Sequence, residues 1–309
     1  MNKRNKPLIT VVTVTYNLIR AGREEYFRQC LESVHNQTYE NIEHIIIDGA
    51  STDGTVELIE EYKNKDWITY ISEKDDGIYS AMNKGIKRAN GKYIIFLNSD
   101  DFFDNKEAVG LSIDLLEKEN ADFSFADCRQ LFDDKISIWK GNKEIFLYNM
   151  PFSHQTMFTR TSLLKKFDGF KENYKVASDY DLIVKILLNG HKGVYVNDII
   201  VSCRMIGDSQ ILLDDCKSET ENIFKDNFKD FYDFKDYKQV SDLRYKRKVT
   251  NRFVKHANKY FNGKQFNNID IDVLIDNLKF LRNRYYHESN YVLKYLLGIK
   301  KKFFPKKLF

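Results

Sequence analysis

The sequence predicts an α/β fold: a mostly parallel, Rossmann-like central sheet flanked by helices, followed by a helical C-terminal extension. Three observations carry this reading. Short apolar runs recur at Leu8–Val14, His44–Ile47, Trp67–Ser72 and Tyr93–Leu97. Segments of helical period lie between them, and the connecting loops are short. After about residue 210 no strand signal remains. Strands alternating with helices imply a parallel sheet covered on its faces.

Leu8–Val14 is β-branched and continuously apolar, the pattern of a strand buried on both faces. Glu24–Asn36 follows as a helix, with Tyr26, Phe27, Cys30, Leu31 and Val34 on one stripe. His44–Ile47 is a second strand and runs into the polar turn Asp48 to Gly54. Thr55–Lys63 is helical, with Asp53 or Thr52 as its cap. Trp67–Ser72 is the third strand, Tyr79–Ala89 a helix ended by Gly91, and Tyr93–Leu97 the fourth strand. Beyond residue 120, Asp122–Asp127, Lys135–Trp139 and Val194–Met205 read as strands. Between the last two, Asp179–Leu188 reads as a helix with Leu182, Ile183, Ile186 and Leu187 inward. The expected organisation is a catalytic domain over 1–210, with a nucleotide half to about 105 and an acceptor half over 106–210, then a helical extension over 211–309.

Composition narrows the function classes. The 309 residues are 42% hydrophobic and 14% aromatic, enough for a real core. A net charge of +4 is too mild to indicate a nucleic-acid polymer as partner. Cys30, Cys128, Cys203 and Cys216 are far apart and form neither a disulfide framework nor a zinc spacing, so a reducing compartment is expected. Lys3, Arg4 and Lys6 before Leu8–Val14 mimic a secretion signal. The run breaks at Thr15-Tyr16-Asn17 with no small-residue cleavage site, so it is read as a strand.

In open α/β sheets, ligands bind at the carboxyl ends of the strands. The polar signatures fall there. Asn98-Ser99-Asp100-Asp101 closes a fully apolar strand. A carboxylate so placed either holds Mg²⁺ or Mn²⁺ against a diphosphate or is an ordinary turn residue. Asp48 to Thr55 either receives a base and ribose or caps a helix. It is not a P-loop, because no GxxxxGK[ST] occurs. The loop Glu73 to Gly77 precedes a helix bearing Asn83 and Lys84. Asp76, Asn83 and Lys84 are donor-side candidates, although a solvated lysine is the alternative for Lys84. Ser178-Asp179-Tyr180-Asp181 opens a helix, where the dipole favours an ionised acid. Asp179 is then a general base toward an acceptor hydroxyl, or a cap. His154 and Gln155, after Pro151, either line the site or serve structurally.

The order and spacing of these motifs go further than any one of them. TYN after the first strand, DGASTDGT, EKDDGIYSAMNKG, FLNSDD, HQ and SDYDL together resemble the family 2 glycosyltransferases, which have the GT-A fold. The likeness covers about residues 7–206 and looks closest to members that build bacterial cell-surface polysaccharides. It implies an inverting transfer from a nucleotide sugar, commonly a UDP-sugar, to a glycan or lipid-linked acceptor. It implies that Thr15, Tyr16 and Asn17 line the nucleoside pocket and that Asp48 meets the base. Asn98, Ser99 and Asp100 match the DxD motif, with Asp100 as ligand to Mn²⁺ or Mg²⁺. Asp179 matches the base, and Asp101, His154, Gln155 and Asp181 fall near the acceptor or phosphate. Gly49 stands where many relatives have a second acid, Asn98 where they have the first DxD acid, and Met82 where they have Arg.

Two rivals are a sugar-nucleotide pyrophosphorylase and a non-catalytic nucleotide- or glycan-binding module. The first needs a Gly-rich basic loop that Thr15–Arg23 lacks. The second is disfavoured by the presence of both Asp100 and Asp179. Residues 284–309 interleave aromatic and aliphatic side chains with lysines and end KKKFFPKKLF, a composition suited to the face of an anionic membrane. The expected location is the cytoplasm, peripherally on the inner membrane. Packing on the catalytic domain is the alternative for 284–299.

Overall fold

The computed structural model describes residues 6–205, 213–244, 246–263, 266 and 268–284. Nine strands form one sheet in the order β3-β2-β1-β4-β8-β6-β9-β5, with β7 paired to β6. The strands are β1 (Ile9–Thr15), β2 (Ile42–Asp48), β3 (Thr69–Ser72), β4 (Tyr93–Phe96), β5 (Phe102–Phe103), β6 (Phe123–Leu131), β7 (Ile136–Trp139), β8 (Thr159–Arg160) and β9 (Gly193–Arg204). The first four pair in parallel throughout. The second half mixes hands: β6 and β9 are parallel, whereas β8 joins β4 to β6 antiparallel and β5 pairs antiparallel with β9. The expected nucleotide and acceptor halves therefore share one continuous sheet.

β1 sits between β2 and β4, which is why its sequence is apolar on both faces. Helices α1 (Glu24–His35) and α4 (Ala108–Glu119) cover one face. There Val11, Cys30, Val34, Ile95, Val109 and Leu116 share one buried cluster. Helix α2 (Thr55–Lys63) joins α1 over Ile46 through Leu58 and Ile59. Helix α3 (Ile78–Arg88) covers the other face at very close range. A Cβ on Gly85 would lie 2.5 Å from Val12 Cγ1, so only glycine permits this approach.

Some differences from the sequence reading have physical causes. β3 starts at Thr69 because Trp67 instead stacks on His35 at a centroid distance of 3.7 Å. Asp53 bonds the N–H and hydroxyl of Thr55 at the start of α2, while Gly54, at φ +97°, holds the cap position. The periodicity does not single out α4, whose apolar positions run nearly continuously and are interrupted by Gly110. The two-residue strands β5 and β8 are too short to leave a pattern.

The chain divides into two compact units. The first comprises residues up to Lys143 with Met150–Thr220. The second comprises Glu144–Asn149 with the described residues from Glu221 on, so the division falls inside α7 (Leu213–Phe228). The first unit also holds α5 (Thr161–Lys166) and α6 (Ser178–Leu188). In the second unit, α8 (Tyr237–Arg244), α9 (Asn251–Gly263), a helix over 271–284 and the end of α7 surround an aromatic core. Phe228 stacks edge-on to Phe224 at 4.9 Å, and Phe261 edge-on to Phe146 at 6.1 Å. The Lys-rich tail lies outside the described residues. Among the described residues no helix is long and apolar enough to cross a membrane.

Candidate active site

The carboxyl ends of β1, β2 and β3 meet at Asp48. Its side chain is fully buried. It accepts hydrogen bonds from Thr15 Oγ1 at 3.0 Å, Ser51 N at 2.9 Å, Ser51 Oγ at 2.6 Å and Ser72 Oγ at 2.6 Å. Four donors fill a carboxylate. Asp48 thus ties three strand ends together. Asn17, in the left-handed region at φ +47°, accepts from Thr52 N and donates its own N–H to Ser51 Oγ. Of the four residues expected at the nucleoside, Thr15, Asn17 and Asp48 hold the protein's own turns. Tyr16 differs: it is 65% exposed.

The loop after β3 is closed from α3. Lys84 Nζ donates to the Lys74 carbonyl at 2.7 Å and pairs with Glu73 at 3.3 Å. Asn83 is buried: its amide donates to Phe170 O and Glu172, and its oxygen accepts from Phe170 N. The polar groups of Asn83 and Lys84 are therefore engaged within the protein. Asp76 is exposed on the loop. Asp75, which the sequence analysis does not single out, is half-buried and accepts from Gly77 N at 3.0 Å.

After β4 the chain turns through Asn98–Asp101, with Asp101 N donating to Asn98 O. Ser99, Asp100 and Asp101 are all buried. Arg23 Nη1 lies 3.4 Å from Asp100 Oδ2. Asp101 accepts from Arg204 N at 2.9 Å and Gln155 Nε2 at 3.2 Å. Burial pushes its carboxyl well above the usual range and the Asp100 charge adds to this, against hydrogen bonds from Arg204, Gln155 and Asn98. Arg204 also donates to the Asp100 carbonyl and stacks over Tyr26 at 4.0 Å. Neither Arg23 nor Arg204 stands out in the sequence, because a lone arginine beside a helix start or at a strand end makes no pattern.

This turn suits a hard divalent cation. Asn98 Oδ1 is buried without a hydrogen-bond partner, in the same turn as the Asp100 carboxylate. Mg²⁺-type ions take oxygen donors, often only one or two from the protein and the rest from phosphate and water. Among the described residues no three His, Cys, Asp or Glu side chains come together as a metal-binding group.

Asp179 lies in the first turn of α6. His154 Nδ1 is 3.0 Å from its Oδ2, while Tyr180 N donates to its Oδ1 at 2.8 Å. Tyr79 Oη is 3.3 Å away and donates to the Val176 carbonyl at 2.8 Å. Burial pushes the Asp179 carboxyl up, but His154 and these donors outweigh it and hold it below the usual range. Asp181, by contrast, is buried and paired with Lys185 at 2.7 Å and Lys171 at 3.5 Å, a fastening of α6. Glu219 accepts the N–H groups of Lys175, Val176 and Ala177 just before the helix. His154 and Gln155 share one turn of 3₁₀ helix, so adjacent residues hold Asp179 and Asp101.

Residues 10–176 match the family model described as glycosyl transferase family 2. The chain is 33% identical over 212 residues to a Bacillus subtilis protein named as a teichuronic acid biosynthesis glycosyltransferase, TuaG, covering 66% of this chain and 81% of that one. It is 32% identical over 192 residues to chondroitin synthase of Escherichia coli, covering 58% of this chain. The match spans only 26% of the length of chondroitin synthase and of an uncharacterised glycosyltransferase of Rickettsia bellii. Among solved structures, S. aureus TarS 1-349 in complex with UDP-GlcNAc superposes with a TM-score of 0.59 at 18% identity, over 91% of this chain and 92% of that one. The mannosyltransferase PcManGT of Pyrobaculum calidifontis, solved with GDP-Man and Mn²⁺, gives a TM-score of 0.59 at 15% identity, over 98% and 89%. These likenesses establish the fold as that of TarS and PcManGT. On the family match and the 33% identity across most of TuaG, the chain belongs to glycosyl transferase family 2.

Proposed function

We propose that the chain transfers a sugar, with inversion, from a UDP-sugar to a hydroxyl of a glycan or lipid-linked glycan during surface polysaccharide synthesis. The observation that carries this reading is the 3₁₀ turn at His154-Gln155, which fixes Asp179 through one residue and Asp101, neighbour of Asp100, through the next. In this reading one turn of backbone carries the contacts to the acceptor-side base and to the donor-side turn. Such positioning is worth much of the rate in a bimolecular transfer. The relatives named for polysaccharide synthesis and the UDP-GlcNAc complex of TarS support the donor and acceptor classes.

The Asp179 carboxylate takes the proton of the acceptor hydroxyl as that oxygen attacks the anomeric carbon. The bond to the diphosphate breaks on the opposite face, through an oxocarbenium-like transition state. The lowered pKa of Asp179 keeps it ionised at neutral pH, with the His154 ring held against its Oδ2. Asp100 and Asn98 Oδ1 are the groups that would hold Mn²⁺ or Mg²⁺. A cation there supplies positive charge to the leaving diphosphate. Arg23 at Asp100 adds fixed positive charge to the same edge. The tail from residue 300 places lysines among Phe303, Phe304, Leu308 and Phe309, which supports contact with an anionic membrane surface where a lipid-linked acceptor resides. Incubation with a panel of UDP-, GDP- and TDP-sugars, reading released nucleotide, tests the reading. Release from none of them would overturn it.

A further inference from the structure

The second unit carries a polar recess that the proposed transfer does not use. Its volume is about 250 Å³, and every residue that lines it belongs to that unit. One wall is the half-buried Tyr232 ring, held against Phe234 at 4.8 Å and Phe253 at 4.9 Å. Lys229 follows the end of α7, Lys235 precedes α8, and Arg252 and His256 lie one turn apart on one face of α9. Asp230 and Asp233 line the same recess. Even so, the ammonium groups of Lys229 and Lys235 and the guanidinium of Arg252 make no ion pair or hydrogen bond among the described residues. Elsewhere in the unit lysines do find acids: Lys225 pairs with Glu221, and Lys246 with Asp242. His256 Nδ1 lies 2.8 Å from the Arg252 carbonyl. A carbonyl only accepts, so Nδ1 carries the hydrogen and Nε2 of the neutral ring is an acceptor.

We propose that this recess binds one singly charged sugar residue of an anionic glycan, either a uronate or a sugar carrying a phosphodiester. That this glycan is the acceptor of the chain rests on the transfer reading above. Three cations against two carboxylates leave one net positive charge, the complement of one anionic group. The forked arginine donor suits a carboxylate or a phosphate. Sugar hydroxyls can donate to Asp230, Asp233 and His256 Nε2, and the Tyr232 ring offers an apolar surface to the C–H face of a pyranose. A free phosphate or a nucleotide diphosphate brings more negative charge, which the two acids repel. A neutral sugar leaves the cations without an anion. Sites that enclose larger ligands start at roughly 300 Å³, so a single ring with its substituents fills this one.

Titration calorimetry on the full chain, with UDP present, tests this with an oligogalacturonate, a phosphodiester-linked oligosaccharide, a neutral galactan oligosaccharide and inorganic phosphate. One of the two acidic oligosaccharides should bind at least about tenfold tighter than the neutral one and than phosphate, the scale of a hydrogen-bonded charge pair. Whichever of the two binds identifies the anion. Arg252→Ala should weaken that binding by about tenfold, and Arg252→Lys, which keeps the charge without the fork, by less. Nucleotide release from a UDP-sugar in water should be the same in both variants as in wild type. Equal binding of neutral and acidic probes, or acidic binding unmoved in folded Arg252→Ala, overturns the site. Nucleotide release by a wild type that binds neither acidic probe overturns the recess alone and leaves the transfer reading standing. Acidic binding that Arg252→Ala removes, in a protein that releases nucleotide from no sugar donor, upholds the recess and overturns only its link to an acceptor.

Discussion

His154 Nδ1 lies 3.0 Å from Asp179 Oδ2, and both side chains are largely withdrawn from solvent. The contact favours the ionised form of Asp179. Burial alone would raise that carboxyl, and His154 is the first of the groups that bring it down. His154→Ala should therefore let the pKa of Asp179 rise. A base must be ionised to act, so activity is lost as pH falls through that pKa. The acid limb of the kcat profile should move to higher pH in His154→Ala, with UDP affinity unchanged. A pH–rate series on both proteins checks this, and an unmoved limb would separate His154 from the base.

Asp100→Asn removes the one carboxylate that the DxD-like turn offers to a cation while leaving the Asp101 network in place. Transfer should fall by at least about 10²-fold, the scale of losing a fixed electrostatic stabiliser. Mn²⁺ should then no longer tighten UDP binding. Titrating UDP with and without Mn²⁺ reads this directly, and full activity in EDTA would contradict it.

Asn83 bridges α3 to residues 170–172 through three buried or partly buried hydrogen bonds. Asn83→Ala should lower stability by roughly 1–3 kcal/mol, the cost of leaving such partners unsatisfied. It should leave the affinity for UDP intact. Denaturant unfolding beside UDP titration separates the two roles. A folded variant with normal stability and lost UDP binding would return Asn83 to the donor site.

Deleting residues 300–309 removes the Lys–Phe cluster at the end of the sequence. Each lysine near an anionic surface contributes on the order of 1 kcal/mol. The full-length protein should co-sediment with anionic liposomes at low salt, and the truncated protein should not, with donor hydrolysis equal in both. Equal sedimentation of the two proteins would dissociate the tail from membrane contact.

The buried strands were legible because β1, β2 and β4 are apolar on both faces, and the polar residues that end them mark the site edge. What the sequence hid was partnership. Asp48 and Asp100 look alike as acids at strand ends. Only the fold shows that Thr15, Ser51 and Ser72 consume the first, whereas the second stands against Arg23 beside an unpartnered Asn98 oxygen. Asp179 and Asp181 share one helical turn, yet α6 turns one toward His154 and the other onto Lys185. Asp75 did not stand out because its closeness to Gly49 is made by the fold and leaves no mark in the sequence.

Nucleotide release from the UDP-sugar that the wild type consumes, compared with release by Asp179→Asn under saturating Mn²⁺, tests Asp179 as the base. Turnover should fall by about 10² to 10⁴, the range for loss of a general base, with UDP affinity and melting temperature unchanged. Turnover by Asp179→Asn equal to that of wild type would contradict it.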